Sequence, residues 1–218
     1  MTNQLAIEKT AKYMQVKFEG EGSGHDWWHI YRVWQLAKHI ASKEKGADML
    51  VVELAALLHD IADHKFHGGD TEIGAIETSK WLRSLKVDQQ IIDQVADIVR
   101  HISFKSAKVK NQLSTLEGYI VHDADKLDAI GAIGIARVFS YGGARGRVIY
   151  NPDQPHIEPY KFEEGKQHSS SAVHHFYEKL FLLKDRMFTT TGRQMAEERH
   201  EFMEVYLEQF YKEWDGKK

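Results

Sequence analysis

Residues 48–60 read DMLVVELAALLHD. Between Asp48 and His59 only Glu53 carries a charge, so a helix here is apolar on nearly every side. Such a helix belongs in the middle of a bundle, surrounded by other helices, rather than on a surface. Asp48 opens it and the pair His59–Asp60 closes it. Burying an imidazole beside a carboxylate is costly unless each has a partner. For a His–Asp dipeptide taken alone, the plain reading is a helix end whose side chains bond locally and face water.

Working outward, the flanks are helical too. Leu5, Ile7, Ala11, Met14 and Phe18 recur at near-helical spacing, and Gly20, Gly22 and Gly24 end that run. Asp26 is a good N-cap for a second helix, WWHIYRVWQLAKHIASKEK, which stops at Gly46. After the central helix comes a polar loop, HKFHGGD. Residues 71–85 predict a helix with Ile73, Ile76 and Trp81 inward, and 87–101 another with Ile91, Ile92, Val95, Ile98 and Val99 apolar. The basic loop FKSAKVKNQ leads into a long helix over 114–140, with Leu116, Ile120, Leu127, Ile130, Ile133 and Val138 buried. Its Gly131 and Gly134 imply close packing or a local bend. Residues 141–168 hold all three prolines and many glycines, and read as a long loop or flap. Helices over 169–187 and 189–214 finish the chain. No strand-like alternation is sustained. The expected fold is an all-α bundle with one long insertion around 141–168, forming one domain over 1–218.

Composition narrows the function. The 218 residues suffice for a sizeable core. Lys and Arg total 29 against 32 Asp and Glu, a net charge of −3, which disfavours a general nucleic-acid binder. The absence of cysteine excludes a disulfide scaffold, a thiolate metal site, an iron–sulfur cluster and a cysteine nucleophile. No window approaches the roughly 20 apolar residues of a membrane span, and MTNQLAIEKT lacks the pattern of a signal peptide. A soluble cytoplasmic protein is the expectation. The 13 histidines, several beside aspartates, point to a metal or acid–base site.

Three segments carry that signal. HDWWHIYRV holds His25, Asp26 and His29. LLHD holds His59 and Asp60. VHDADKLDAIGA holds Asp123, Asp125 and Asp128. One histidine, a His–Asp pair and a distant aspartate on three helices would make a mixed nitrogen and oxygen site. It would suit a divalent transition ion with positions left open for water and substrate.

The segments HDWWHIYRV, LLHDIADHKF, RHISF and DADKLDAIGAIGIAR, in that order, resemble the HD-domain metal-dependent phosphohydrolases, and within them the small bacterial YpgQ/YedJ-like branch. The resemblance covers residues 20–185 or so. It implies that His29, His59, Asp60 and Asp125 are metal ligands. It implies that Asp63, one turn after Asp60, handles the proton of water or of the leaving group, although several relatives place Glu there. A register two residues earlier would make Asp123 the ligand instead of Asp125. His25 reads as structural, and Asp128 lies close to the face of Asp125. His101 is a candidate for substrate or for orienting a ligand, and one clear extra histidine favours a single metal.

Several cations lie near the motifs and could clamp phosphate, as arginine does bidentately. Arg32 follows His29 by one turn. His64 and Lys65 follow Asp63, Lys126 adjoins Asp125, and Arg145 and Arg147 stand in GGARGR. Tyr141 or Tyr150 is placed to stack on a base. The resemblance implies a nucleotide phosphohydrolase, cleaving nucleoside or deoxynucleoside triphosphates to monophosphate and pyrophosphate with manganese. Fe, Co, Ni, Zn or Mg are alternative ions. A 5′-nucleotidase and a cyclic-nucleotide phosphodiesterase stay open within the family, as does a helical module that senses nucleotides without turnover. The expected partner is a small nucleotide, with no nucleic acid and no membrane. The aromatic last helix, with Phe202, Tyr206, Phe210 and Trp214, could pack at home or in a homodimer.

Overall fold

The computed structural model describes residues 2–20, 26–62, 72–102, 112–153 and 171–217. Among them are nine α-helices and no strand. The fold is all-α, as the patterning predicts. None of the described helices is long and apolar enough to cross a membrane. The chain divides into two compact units, residues 1–125 and 126–218. The boundary falls inside a helix, where the composition shows no linker.

The first unit contains α1 (Asn3–Lys17), α2 (Trp27–Ala41), α3 (Met49–Leu58), α4 (Glu72–Ser84), α5 (Gln89–Ile102) and most of α6 (Leu116–Asp128). The apolar helix α3 sits in the middle and packs against α1, α2 and α5. Its residues Val51, Val52, Leu54, Ala55, Ala56, Leu57 and Leu58 are all buried. Local chemistry sets the helix starts. The Asp48 side chain accepts from the Leu50 and Val51 amides, and Asp26 accepts from the His29 amide at 2.8 Å. The amide of Asp48 donates to Glu117, which ties α3 to α6. Ile76, expected inside, is exposed. The inner face of α4 runs instead through Gly74, Thr78 and Leu82, four residues apart, and Ile76 is about 200° round from Gly74.

The second unit holds α7 (Gly131–Ala144), α8 (Ala172–Glu178) and α9 (Thr190–Trp214), with short 3₁₀ turns at Leu180–Leu182 and Lys184–Arg186. The helix expected over 114–140 is therefore two. It stops at Asp128 and restarts after Ile130, where Gly131 adopts φ +74°. The side chain of Arg199 reaches in at that point and donates to the Leu127 carbonyl. A Cβ on Gly131 would meet Arg199 Cγ at 2.9 Å. The break resets the helical phase, which leaves Ile133 exposed rather than buried. The helix expected over 169–187 is also shorter. It ends after Glu178, where Lys179 (φ −137°, ψ −54°) leaves the helical region. Helix α7 runs on to Ala144, four residues into the expected loop. Residues 145–153 are irregular, and the rest of that loop lies outside the described residues. Phe139, Phe176, Tyr206 and Phe210 form an aromatic core for this unit, with Tyr150 and Trp214 at its edge.

Candidate metal centre

Three helices of the first unit deliver the polar side chains that the sequence singles out. His29 lies in the first turn of α2, where the Asp26 cap holds its amide. His59 and Asp60 follow the last residue of α3, and Asp125 projects from α6. One donor atom from each of His29, His59 and Asp125 lies within 4.8 Å of the other two. Asp60 joins through the imidazoles. Its Oδ2 is 3.5 Å from His29 Nε2 and 3.4 Å from His59 Nε2. Asp125 Oδ1 is 3.6 Å from His29 Nε2. The two Nε2 atoms face each other at 3.2 Å.

Both rings are buried, while the two carboxylates keep partial access to solvent. His59 Nδ1 lies 2.8 Å from the Ala56 carbonyl, one of the helix-end carbonyls left without an intrahelical donor. By donating there, Nδ1–H fixes the ring and leaves Nε2 as the atom directed at the carboxylates. Burial pushes the His59 imidazole down. The Asp60 and Asp125 carboxylates and the Ala56 bond outweigh it and raise the group to about 9. A cation is thus the species this spot prefers, whether it is a proton on His59 or a metal in its place. Two imidazole nitrogens and two carboxylates form a donor set that fits a divalent transition ion.

The remaining candidates divide by location. Arg32 sits one turn after His29, half-buried. His101 lies in the last turn of α5, with Nδ1 3.2 Å from Asp97 Oδ1 but not aligned for a hydrogen bond. Asp123 is fully buried and 3.1 Å from His122 Nδ1, and it is not among the converging donors. In the second unit Lys126 is buried, and Asp128 is buried and paired with Arg137 at 3.3 Å. Arg145 and Arg147 follow the C-terminal end of α7. Tyr150 packs among Phe210, Tyr211 and Trp214, whereas Tyr141 is exposed. Asp63, His64, Lys65 and His25 lie outside the described residues. Sequence reasoning missed the Ala56 carbonyl, although its position three residues before His59 on a helix is the signal for it. It also missed the Asp128–Arg137 pair, which spans the helix break at Gly131, where the glycines point to close packing or a bend.

Comparison with known proteins follows the same lines. An HD domain model matches residues 27–130, the span that contains His29, His59, Asp60 and Asp125. The uncharacterized protein YpgQ of Bacillus subtilis is 40% identical over 211 residues, covering 96% of this chain and 94% of the relative. A crystal structure of an HD-superfamily hydrolase from Bacillus thuringiensis superposes with a TM-score of 0.78 at 41% identity, covering 98% of this chain and 99% of that one. A crystal structure of B. subtilis YpgQ in complex with ADP gives 0.74 at 37% identity, covering 97% and 100%. With likeness over nearly its whole length, and with the His–Asp pair at the end of its central helix, the chain belongs to the HD domain family, in its YpgQ-like branch of HD-superfamily hydrolases.

Proposed function

We propose that the chain is a metal-dependent phosphohydrolase that cleaves nucleoside or deoxynucleoside triphosphates to the monophosphate and pyrophosphate, with manganese held by His29, His59, Asp60 and Asp125. The observation that carries this reading is the convergence of the two Nε2 atoms with the Asp60 and Asp125 carboxylates. The ADP complex of B. subtilis YpgQ supports a nucleotide as the substrate class. When bound, the ion would supply a more acidic water and a polarised phosphoryl oxygen. The protein's share is orientation and proton handling. Ala56 holds His59 in one tautomer, and Asp26 holds the first turn of α2 and with it His29. Asp63 takes the proton from the attacking water. Arg32, His64, Lys65, His101, Lys126 and Asp128 are proposed for binding and orienting substrate, with Arg145 and Arg147 as phosphate ligands.

The same reading takes the whole chain as one HD-type domain, supported by the match to YpgQ over 96% of this chain. It places the protein in the cytoplasm, with a homodimer allowed and nucleic acid disfavoured by the net charge of −3. Metal analysis followed by product identification on a nucleotide panel tests it. Pyrophosphate and monophosphate released with Mn are the expected products. Release of a nucleoside, or opening of a cyclic nucleotide, would replace this activity with another of the same family. Tight binding with no turnover on any nucleotide would make the protein a sensor.

A further inference from the structure

At the end of α7 the chain reads Tyr141-Gly-Gly-Ala-Arg145-Gly-Arg147. The turn is closely specified. The Arg145 amide donates to the Tyr141 and Gly142 carbonyls, and the Arg147 amide donates to Gly142 at 2.8 Å. Gly146 supplies the left-handed residue, φ +69°, that lets the chain reverse. Both arginines are thereby brought back to one ring. The guanidinium carbon of Arg145 lies 5.2 Å from the centre of Tyr141, and that of Arg147 lies 6.0 Å from it. Among the described residues neither arginine has a carboxylate partner.

This is an unusual way to leave two charges. A basic residue after a helix complements the partial negative charge of the last carbonyls, but that effect is worth only tenths of a kcal/mol when exposed. The ring face attracts each guanidinium. Among the described residues no carboxylate neutralises the pair, and an anion of charge two or more would do so. Among the described residues the surroundings are open. Tyr141 is 45% exposed, and a Cβ on Gly143 or Gly146 would meet nothing within 4 Å. Among the described residues nothing packs where a Gly143 side chain would stand, so this glycine weakens the last turn of α7 and leaves the backbone beside the cluster accessible. Two planar forks suit two phosphoryl groups in sequence, each accepting a bidentate pair.

We propose that Tyr141, Arg145 and Arg147 form a phosphate-chain binding site within the second unit, taking a diphosphate group either free or as part of a nucleotide. The site is complete in residues 141–147 and needs no metal. It deepens the role given to Arg145 and Arg147 above as phosphate ligands, and its test reads binding without turnover.

Calorimetric titration of the full-length, metal-stripped protein with pyrophosphate, and separately with ADP, tests the assignment. Saturable binding is expected for the parent chain and for His59→Ala. About a tenfold or greater weakening is expected for Arg145→Gln/Arg147→Gln. The control Lys43→Gln/Lys45→Gln, which removes two exposed charges elsewhere, should bind like the parent. Circular dichroism verifies that the variants keep their helices. Equal affinity for the two ligands assigns the site to a free phosphate chain, and tighter ADP assigns it to a nucleotide. The proposal is overturned by no saturable binding to the metal-stripped parent, or by unchanged affinity in the arginine variant. Loss in the lysine control equal to that in the arginine variant would also overturn it, as would loss in His59→Ala alone.

Discussion

His59 in the first unit and His200 in the second are buried to nearly the same extent, 7% and 8% exposed. Their surroundings differ. His59 has a carbonyl on Nδ1, and on Nε2 a second imidazole and the Asp60 carboxylate, with Asp125 close by. His200 meets the edge of Phe181 and has one carboxylate, Glu204, 3.4 Å from Nε2 and itself well exposed. Its Nδ1 is buried with no hydrogen-bond partner among the described residues. Burial of a histidine is therefore a poor guide to a site. What separates the two is convergence of charge from several helices on one point.

Ligand removal is the most severe test of that contrast. His59→Ala or Asp60→Ala should lower metal affinity by more than about 100-fold while the circular dichroism spectrum stays helical. His200→Ala should leave metal stoichiometry at the parent value. Equal metal content in all three proteins would erase the distinction.

Proton handling comes next in size. Asp63→Asn should retain the metal and lose roughly 10²- to 10⁴-fold in turnover with a nucleoside triphosphate. Full activity would assign the proton to another group.

The raised His59 pKa sets the pH dependence. In the metal-free protein the group rises from 6.5 to about 9. Its contribution to stability is then fully present below pH 6.5 and is lost as pH climbs through 9. Urea unfolding in chelator at pH 6 and pH 9.5 should show this decline. Metal must displace the same proton, so apparent affinity should increase by about tenfold per pH unit up to about 9. A flat profile would mean that His59 is already neutral.

Smaller effects sharpen the comparison through the backbone. Gly131→Ala forces a side chain into φ +74° and against Arg199, and should cost about 1–3 kcal/mol of stability in thermal unfolding. Asp26→Ala removes the cap that holds the His29 amide. It should cost about 1 kcal/mol, with a measurable loss of metal affinity because His29 shares that first turn. Unchanged affinity would show that the ring is held by packing alone.

Much of the fold was legible in the chain. The apolar run over 48–60 implies a central helix because no other environment hides so many sides at once. Asp26 and Asp48 mark helix starts because a short polar side chain there can satisfy a free amide. The order of His29, His59, Asp60 and Asp125 pointed to one centre through resemblance, and the four groups do meet. Gly131 and Gly134 mark close packing or a bend, but not that the helix stops and restarts there as α6 and α7. Apolar periodicity continues on both sides of Gly131, and a full stop depends on Arg199, some 70 residues away, filling the gap. Ile133 was misread for the same reason, since its phase is counted from a helix that stops before it.

The sequence by itself determined that the chain is helical, which helix lies innermost and which residue types could hold a cation, because these follow from local periodicity and side-chain chemistry. Only the tertiary structure decided that Nε2 rather than Nδ1 of His59 faces the carboxylates, that Asp123 turns to His122, and that two arginines share the ring of Tyr141. Those outcomes depend on distances between atoms far apart along the chain or on the exact turn of a backbone, and no pattern of spacing carries that information.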